Sequence, residues 1–386
     1  MSRPLRIVQI APYPLFPTSA GGKIRIVQLA RTLSALGVDV TVVAPFHFTQ
    51  RRALIEREPF TFHQVSYPFL IPLLFVDRPI PFGSLVSFHP GYRAMLPVSL
   101  EDYDICQIEH PAFVDLLRHL PNSVPVVYGS QNTEFDYVEY ECRSEWVRRS
   151  AGGRVRRLEA QLIKRADHVF ACTEADRDRF KDLYAAESSR VTILPNGVDL
   201  NAAREDRARA ASSPSVDLGN FASRAVFAGS AVHHNHEAVR KILSRVAPAF
   251  EREIEFVIIG GCARIFQGDR RPNVRFDPDG ELVTYAGPDT IGLNPVVDGS
   301  GSSLKLLQYL AYNLPVLTTR FGLRGFENLE PWVTQAEIDD FPDALRAGVH
   351  EPDGVQEQLE RYEWSNIAKE ALRVYETLAG RRDAGR

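Results

Sequence analysis

The residues best suited to chemistry lie in the run Asp298-Gly299-Ser300-Gly301-Ser302-Ser303-Leu304-Lys305. Glycine and serine leave backbone N–H groups exposed where a helix begins, and the helix dipole adds positive potential there. At about 100° per residue, Leu304, Leu306, Leu307, Leu310 and Ala311 form one apolar arc, with Lys305, Gln308 and Tyr312 on the other side. One ammonium and one amide beside an N–H-rich loop could hold a diphosphate and a neighbouring hydroxyl. The plainer reading is a flexible loop, an ordinary amphipathic helix and a solvated Lys305. Ser302-x-x-Lys305 also has the Ser/Lys spacing of penicillin-recognising acyl enzymes, but their Ser-Asp-Asn and Lys-Thr-Gly partners do not occur in the chain.

Other candidates are weaker. Gly21-Gly22 lacks the Gly-x-Gly-x-x-Gly spacing of a dinucleotide site, although Lys23 and Arg25 beside it could face a phosphate. His110 ends the run Gln107-Ile108-Glu109-His110, a position that faces the ligand side of a parallel sheet; a structural histidine is the ordinary alternative. His233-His234-Asn235-His236 resembles a metal cluster only superficially, since no carboxylate or cysteine group matches it. Asn235 is placed there to cap a helix, and a loop near the phosphates is expected rather than a metal site. Cys106, Cys142, Cys172 and Cys262 are far apart, which suggests neither zinc nor a disulfide framework.

The elements that must position these groups alternate between strand and helix. Arg6–Ile10 is a β-branched run; a helix through Ile26, Leu29, Ala30, Leu33 and Leu36 follows the Gly21-Gly22 turn, and Val38–Val43 is the next strand. Buried runs recur at Ile105–Ile108, Val124–Tyr128, His168–Ala171 and Val191–Leu194, then at Ala225–Gly229, Ile254–Ile259, Ile291–Asn294 and Pro315–Thr319. The pattern predicts an α/β protein of two doubly wound, Rossmann-like parallel-sheet domains facing across a cleft. The expected divisions are a domain at 1–200, a linker at 201–220 marked by Ala, Arg, Ser and Pro, a second domain at 221–364, and a terminal helix at 365–386 crossing back to the first domain. The length of 386 residues suits two cores. Forty-five Lys+Arg against 49 Asp+Glu give a net charge of −4, which argues against a dedicated nucleic-acid binder. The start, Met1 to Arg6, carries no apolar signal segment, so a soluble, cytoplasmic protein is expected.

Several of these segments, in order, resemble a GT-B glycosyltransferase of the large retaining class that uses nucleotide-sugar donors (the family 4-like, group 1 type). They are Gly21-Gly22 to Leu36; Gln131-Asn132-Thr133-Glu134; Pro195-Asn196-Gly197-Val198-Asp199; Phe227-Ala228-Gly229-Ser230 with Asn235 to Val239; Asn294-Pro295 through Gly299-Ser300-Gly301 to Lys305; Pro315 to Thr319 with Gly322; and Tyr362-Glu363-Trp364 with the terminal helix. The resemblance implies that Gly21 and Gly22 approach the donor phosphate and the acceptor, that His110 contacts the transferred sugar, and that Gly299 to Gln308 hold the nucleotide diphosphate and sugar. It also implies donor contacts from Gly229, Ser230, Asn235 and Asp298, with Lys23, Arg25, Asn132 and Glu134 on the acceptor side. The family's usual glutamate pair falls on Ser300 and Gln308, and its Arg-Lys phosphate pair is replaced by Gly229-Ser230 and the His-rich loop. Gln308 can still bond a ribose hydroxyl, and Lys305 supplies the charge.

The reaction implied is metal-independent, retaining transfer of a sugar from a UDP- or GDP-sugar to a hydroxyl acceptor. The acceptor is a glycan, a lipid-linked saccharide or a small molecule. An apolar segment, Tyr67 to Phe88, and a basic helix with Arg148, Arg149, Arg154, Arg156, Arg157, Lys164 and Arg165 could meet an anionic membrane surface peripherally; a local core and a solvated helix face is the plainer reading. The alternatives are a nucleotide-sugar epimerase of the same two-domain form and a catalytically silent nucleotide-sugar-binding protein. The sequence leaves the oligomeric state open.

Overall fold

The computed structural model describes residues 3–18, 20–45, 55–65, 96, 98–141, 145–212, 217–299 and 301–384. Two compact units result: Met1–Pro195 with Trp364–Arg386, and Asn196–Glu363.

The first unit is built on β1 (Arg6–Ile10), β2 (Asp39–Pro45), β3 (Thr61–Val65), β4 (Ile105–Ile108), β5 (Val126–Gly129), β6 (His168–Ala171) and β7 (Val191–Ile193), ordered β3-β2-β1-β4-β5-β6-β7. Every pairing is parallel. Alternation along each strand sends Val8, Ile10, Cys106 and Ile108 into one core and Ile7, Ile105 and Val127 into the other. α1 (Gly21–Ala35) and the terminal helix Trp364–Ala384 close the second of these cores through Ile26, Leu29, Leu33, Ile367, Ala371 and Tyr375. On the opposite face, after the short α2 (Glu134–Glu141), α3 (Glu145–Arg165) contributes Leu158, Leu162 and Ile163.

The second unit has β8 (Ser223–Ala228), β9 (Ile254–Ile259), β10 (Val274–Asp277), β11 (Thr290–Asn294), β12 (Val316–Thr318) and β13 (Thr334–Gln335), ordered β10-β9-β8-β11-β12-β13 and again all parallel. α4 (Leu200–Ser212) and α6 (Leu304–Ala311) pack on one face, and α5 (His233–Lys241) packs on the other. Strand order reverses between β1 and β4 in one sheet and between β8 and β11 in the other. Such switch points, at the carboxyl ends of the strands, are where open α/β sheets bind ligands.

Three expectations are corrected. Residues 201–220 are not simply a linker, because α4 occupies Leu200–Ser212 and belongs to the second unit, whose chain starts at Asn196. Alanine and arginine favour helix, and α4 is held at its start by Asp199 Oδ1 accepting from Ala202 N–H and Glu363 Oε2 accepting from Leu200 N–H, both at 2.8 Å. Gly21 and Gly22 are not a turn before the helix but its first two residues. Asn235 is not a cap: the N-cap of α5 is Val232, and Asn235 sits inside the first turn.

Candidate functional site

Each switch point carries a polar cluster. In the first unit, Glu109 and His110 directly follow β4. His110 caps a 3₁₀ segment, Pro111–His119, with its Nδ1 accepting from Ala112 N–H at 3.1 Å. That bond puts the ring proton on Nε2, which faces Glu134 Oε2 at 3.1 Å. Asn132 Nδ2 donates to the other oxygen of Glu134 at 2.9 Å. His110, Asn132 and Glu134 are thus brought together by the fold. Both ring nitrogens of His110 are engaged within the fold, so its imidazole is an oriented group rather than a free nucleophile.

Behind this pair lies Glu159 of α3, fully buried, which accepts from the Tyr128 and Tyr184 hydroxyls at 2.9 and 2.7 Å and from Glu134 N–H at 2.9 Å. An anion at the start of α2 satisfies helix N–H groups and fixes the backbone that carries Glu134. Burial pushes the Glu159 carboxyl up to about 7, with the nearby Glu134 charge adding to the shift.

Gly22 is glycine for a steric reason. A Cβ there would fall on Gln131 Oε1 and the Tyr13 hydroxyl, which are hydrogen-bonded to each other. Gln131 Nε2 is buried without a hydrogen-bond partner among the described residues. Arg25, expected on the acceptor side, is instead 2% exposed, and its Nη1 donates to Pro195 O at 3.0 Å. Lys23 remains half-buried near Pro17 O, 3.4 Å away.

Glu109 turns to the face covered by the terminal helix. Gln107 Nε2 donates to it at 2.5 Å, and the Tyr375 hydroxyl of that helix donates to Gln107. Burial raises the Glu109 carboxyl to about 7 from 4.5, the Gln107 bond and Arg25 opposing the shift. The folded chain therefore binds this proton more tightly than the unfolded chain. The cost of the buried charge is absent below the unfolded value of 4.5, and it is fully present above about 7. Glu109→Gln is expected to raise stability by up to about 3 kcal/mol at pH 8 and to leave it nearly unchanged at pH 4, as read from urea unfolding at the two pH values.

In the second unit, the chain leaves β8 at Gly229-Ser230 and β9 at Gly260-Gly261. A Cβ on Gly229 would lie 2.9 Å from the Asn235 side chain, and one on Gly260 would lie 2.7 Å from Gly229 O; Gly260 also has φ +88°. These glycines let α5 approach closely enough for Asn235 Nδ2 to donate to Ser230 O at 3.1 Å. Lys305 Nζ donates to Asn235 Oδ1 at 2.9 Å and stands 4.7 Å from the centroid of the Phe227 ring. Burial lowers the Lys305 ammonium to about 7; Cys262 opposes the shift and Arg324 adds to it. The group is aimed and poorly solvated, unlike a lysine on an ordinary surface.

Gly299 and Gly301, with φ +123° and +66°, shape the loop before α6, whose N-cap Ser303 makes no side-chain cap bond. Ser303 Oγ accepts instead from Asn294 Nδ2 at 3.0 Å, and Ser302 Oγ accepts from Asn196 Nδ2 at 2.9 Å. Asp298 is exposed, Leu304 and Gln308 are half-buried, and Ser300 lies outside the described residues. Tyr312 does not line the site: its hydroxyl donates to Asp206 of α4 at 2.7 Å.

Two residues escaped the sequence reading. Arg324, after β12, donates through Nε to Gly301 O and brings a second cation to the glycine loop. Tyr309 of α6 is fully buried beneath the site; its hydroxyl accepts from Ala228 N–H at 2.9 Å, and Gly292 leaves room for its ring. Among the described residues no group of three or more His, Cys, Asp or Glu could hold a metal ion, and no helix is long and apolar enough to cross a membrane. Arg148, Arg149 and Arg165 pair with Glu139, Glu145 and Asp167, whereas the apolar segment Tyr67 to Phe88 lies outside the described residues.

With this fold and these two clusters, the chain is similar in fold to GT-B glycosyltransferases. More particularly, residues 20–202 match the model of Glycosyltransferase Family 4. Solved structures similar in fold include a sucrose-phosphate synthase from Thermosynechococcus elongatus (TM-score 0.71, 15% identity, 97% of this chain and 99% of that one). An α,α-trehalose-phosphate synthase (UDP-forming) from Burkholderia vietnamiensis is similar at TM-score 0.66 and 14% identity, over 98% of both chains. Anabaena HepE, in complex with UDP and glucose, is similar at 0.63 and 13%, over 97% of this chain and 100% of that one. At such identities the likeness is one of fold. No curated protein matches the chain in sequence.

Proposed function

We propose that the protein transfers a hexosyl group from a UDP- or GDP-sugar to a hydroxyl acceptor, with retention at the anomeric carbon and without a metal ion. The observation that carries this reading is the Lys305–Asn235 pair, admitted by the close glycines Gly229 and Gly260 at the β8–β11 switch point beside the start of α6. The physical task is to stabilise the departing diphosphate. Backbone N–H groups of the Gly299–Ser303 loop, the start of α6 and Lys305 would act where negative charge develops. Gln308 would bond a ribose hydroxyl, since its amide both donates and accepts. His110, oriented by Ala112 and Glu134, would hold the sugar through its ring or its carbonyl neighbours. HepE's bound UDP and the UDP-forming synthase support UDP over GDP. The acceptor is a glycan, a lipid-linked saccharide or a small molecule.

Incubation with a panel of UDP-, GDP- and dTDP-sugars tests the reading. Release of nucleoside diphosphate, undiminished by EDTA, is the expected result, with α-linked product from an α-linked donor. An altered sugar still attached to its nucleotide would instead mark an epimerase, and tight binding without turnover a silent binding protein.

A further inference from the structure

α6 reaches back to the end of β8 twice. Lys305 and Tyr309 stand four residues apart, so their side chains leave neighbouring positions on the helix, about 6 Å apart along its axis. The Lys305 ammonium lies over the Phe227 ring, 4.7 Å from its centroid. The Tyr309 hydroxyl meets the next residue of β8, accepting from Ala228 N–H at 2.9 Å.

That bond stands in for a rung of the sheet. Along β8, successive N–H groups turn to alternate neighbours. Arg224 N–H donates toward β11, to Asp289 O at 2.8 Å, and Gly229 N–H donates toward β9, to Ile259 O at 3.0 Å. Ala228, four residues after Arg224, therefore turns its N–H toward β11. Yet β8 and β11 pair only as far as Val226 and Gly292; beyond them β8 stays with β9, and β11 with β12. The Tyr309 ring fills this fork. It is fully buried, and it fits because residue 292 is glycine: a Cβ there would lie 2.6 Å from Tyr309 Cγ and Cδ2.

We propose that Tyr309 is a positioning residue for Lys305: as the wedge of the β8–β11 fork, it fixes the distance between α6 and β8 and so holds the ammonium over Phe227, within reach of Asn235. Tyrosine suits the task on two counts. Its rigid ring sets the spacing, and its hydroxyl satisfies a backbone N–H that the parted strands leave over. Phenylalanine would keep the ring but strand that N–H, and water drawn in to satisfy it would also hydrate the Lys305 ammonium nearby. That Lys305 meets a diphosphate rests on the proposed transferase reading; its placement by Tyr309 rests on the fold of the second unit alone.

The test follows Lys305 itself, by NMR titration of the full chain carrying 13C-labelled lysine; Lys305→Ala identifies its resonance among the six lysines. The ionisable side chains acting on it are Cys262, in the segment Gly261–Phe266, and Arg324; α5 presents Asn235 and β8 the Phe227 ring. Wild-type Lys305 should titrate near 7. Tyr309→Phe should raise this by about one pH unit, because a hydrated ammonium is penalised less, and should weaken UDP binding about fivefold. Gly292→Ala, which displaces the ring from the side of β11, should move Lys305 in the same direction. Phe250→Leu, a core truncation just before β9, should leave it in place. A wild-type Lys305 titrating at the ordinary 10.5, or an unmoved Lys305 in Tyr309→Phe, would overturn the proposal. So would an equal shift in Phe250→Leu; if Tyr309→Phe does not fold, Gly292→Ala decides in its place. Failure of the wild-type chain to bind UDP would count against the transferase reading separately, with the Lys305 titration still deciding the role of Tyr309.

Discussion

Lys305→Ala is expected to weaken UDP binding by about 100-fold, close to 2.7 kcal/mol and within the range of a charge-assisted hydrogen bond made in a poorly solvated site. The size follows from where Lys305 stands. Its ammonium is buried against Phe227, held by Asn235, and already titrating near 7. A diphosphate beside it would restore the proton, so binding above pH 7 should be accompanied by proton uptake. Wild-type affinity should consequently fall as pH rises from 7 to 9, because more of the free protein carries a neutral amine; in Lys305→Ala this part of the pH dependence should vanish. Calorimetry in two buffers of different ionisation enthalpy measures the uptake directly. Asn235→Ala removes only the group that aims the ammonium, so a smaller loss is expected. Unchanged UDP affinity in Lys305→Ala would remove the phosphate site from this loop.

The central strands were legible because each is buried on both faces and reads as an unbroken apolar run, as in Ile105–Ile108 and Ile254–Ile259. The strands not read, β3, β10 and β13, are edge strands or lie next to no second neighbour; Thr61-Phe62-His63-Gln64-Val65 and Val274-Arg275-Phe276-Asp277 mix polar and apolar residues. α4 resembles a linker in sequence because its exposed Ala-Arg composition looks like a tether, and among its described side chains only Leu200 and Ala203 reach the core. At the site, Lys305 could be found from its spacing to the glycines. Asn235 could be seen but not placed, since its role depends on Gly229 and Gly260 admitting it from another element. Arg324 gave no local signal: it follows a different strand and meets Gly301 only through the fold. Arg25 shows the reverse error, a basic residue beside a glycine pair that is buried and points to Pro195.

His110→Ala is expected to lower the turnover number for sugar transfer by roughly 100-fold while changing UDP affinity by no more than about twofold, the signature of a group that acts on the sugar in the transition state and not on the nucleotide. The structure gives a reason to expect Glu134 to share this effect. With Nδ1 accepting from Ala112 N–H, the only proton on neutral His110 lies on Nε2 and is donated to Glu134, so ring orientation and carboxylate position are set together. Groups that act as a unit lose function non-additively. Glu134→Ala should therefore cost nearly as much as His110→Ala, and the double variant little more than either. Glu159→Gln offers a control one step removed: its amide can accept from fewer of the four donors that converge on the carboxylate, loosening the backbone of Glu134 without touching the dyad side chains. It should reduce turnover less than either dyad variant and lower stability as well. Additive losses for His110 and Glu134 would show two independent roles, and full activity in His110→Ala would take the histidine out of the reaction.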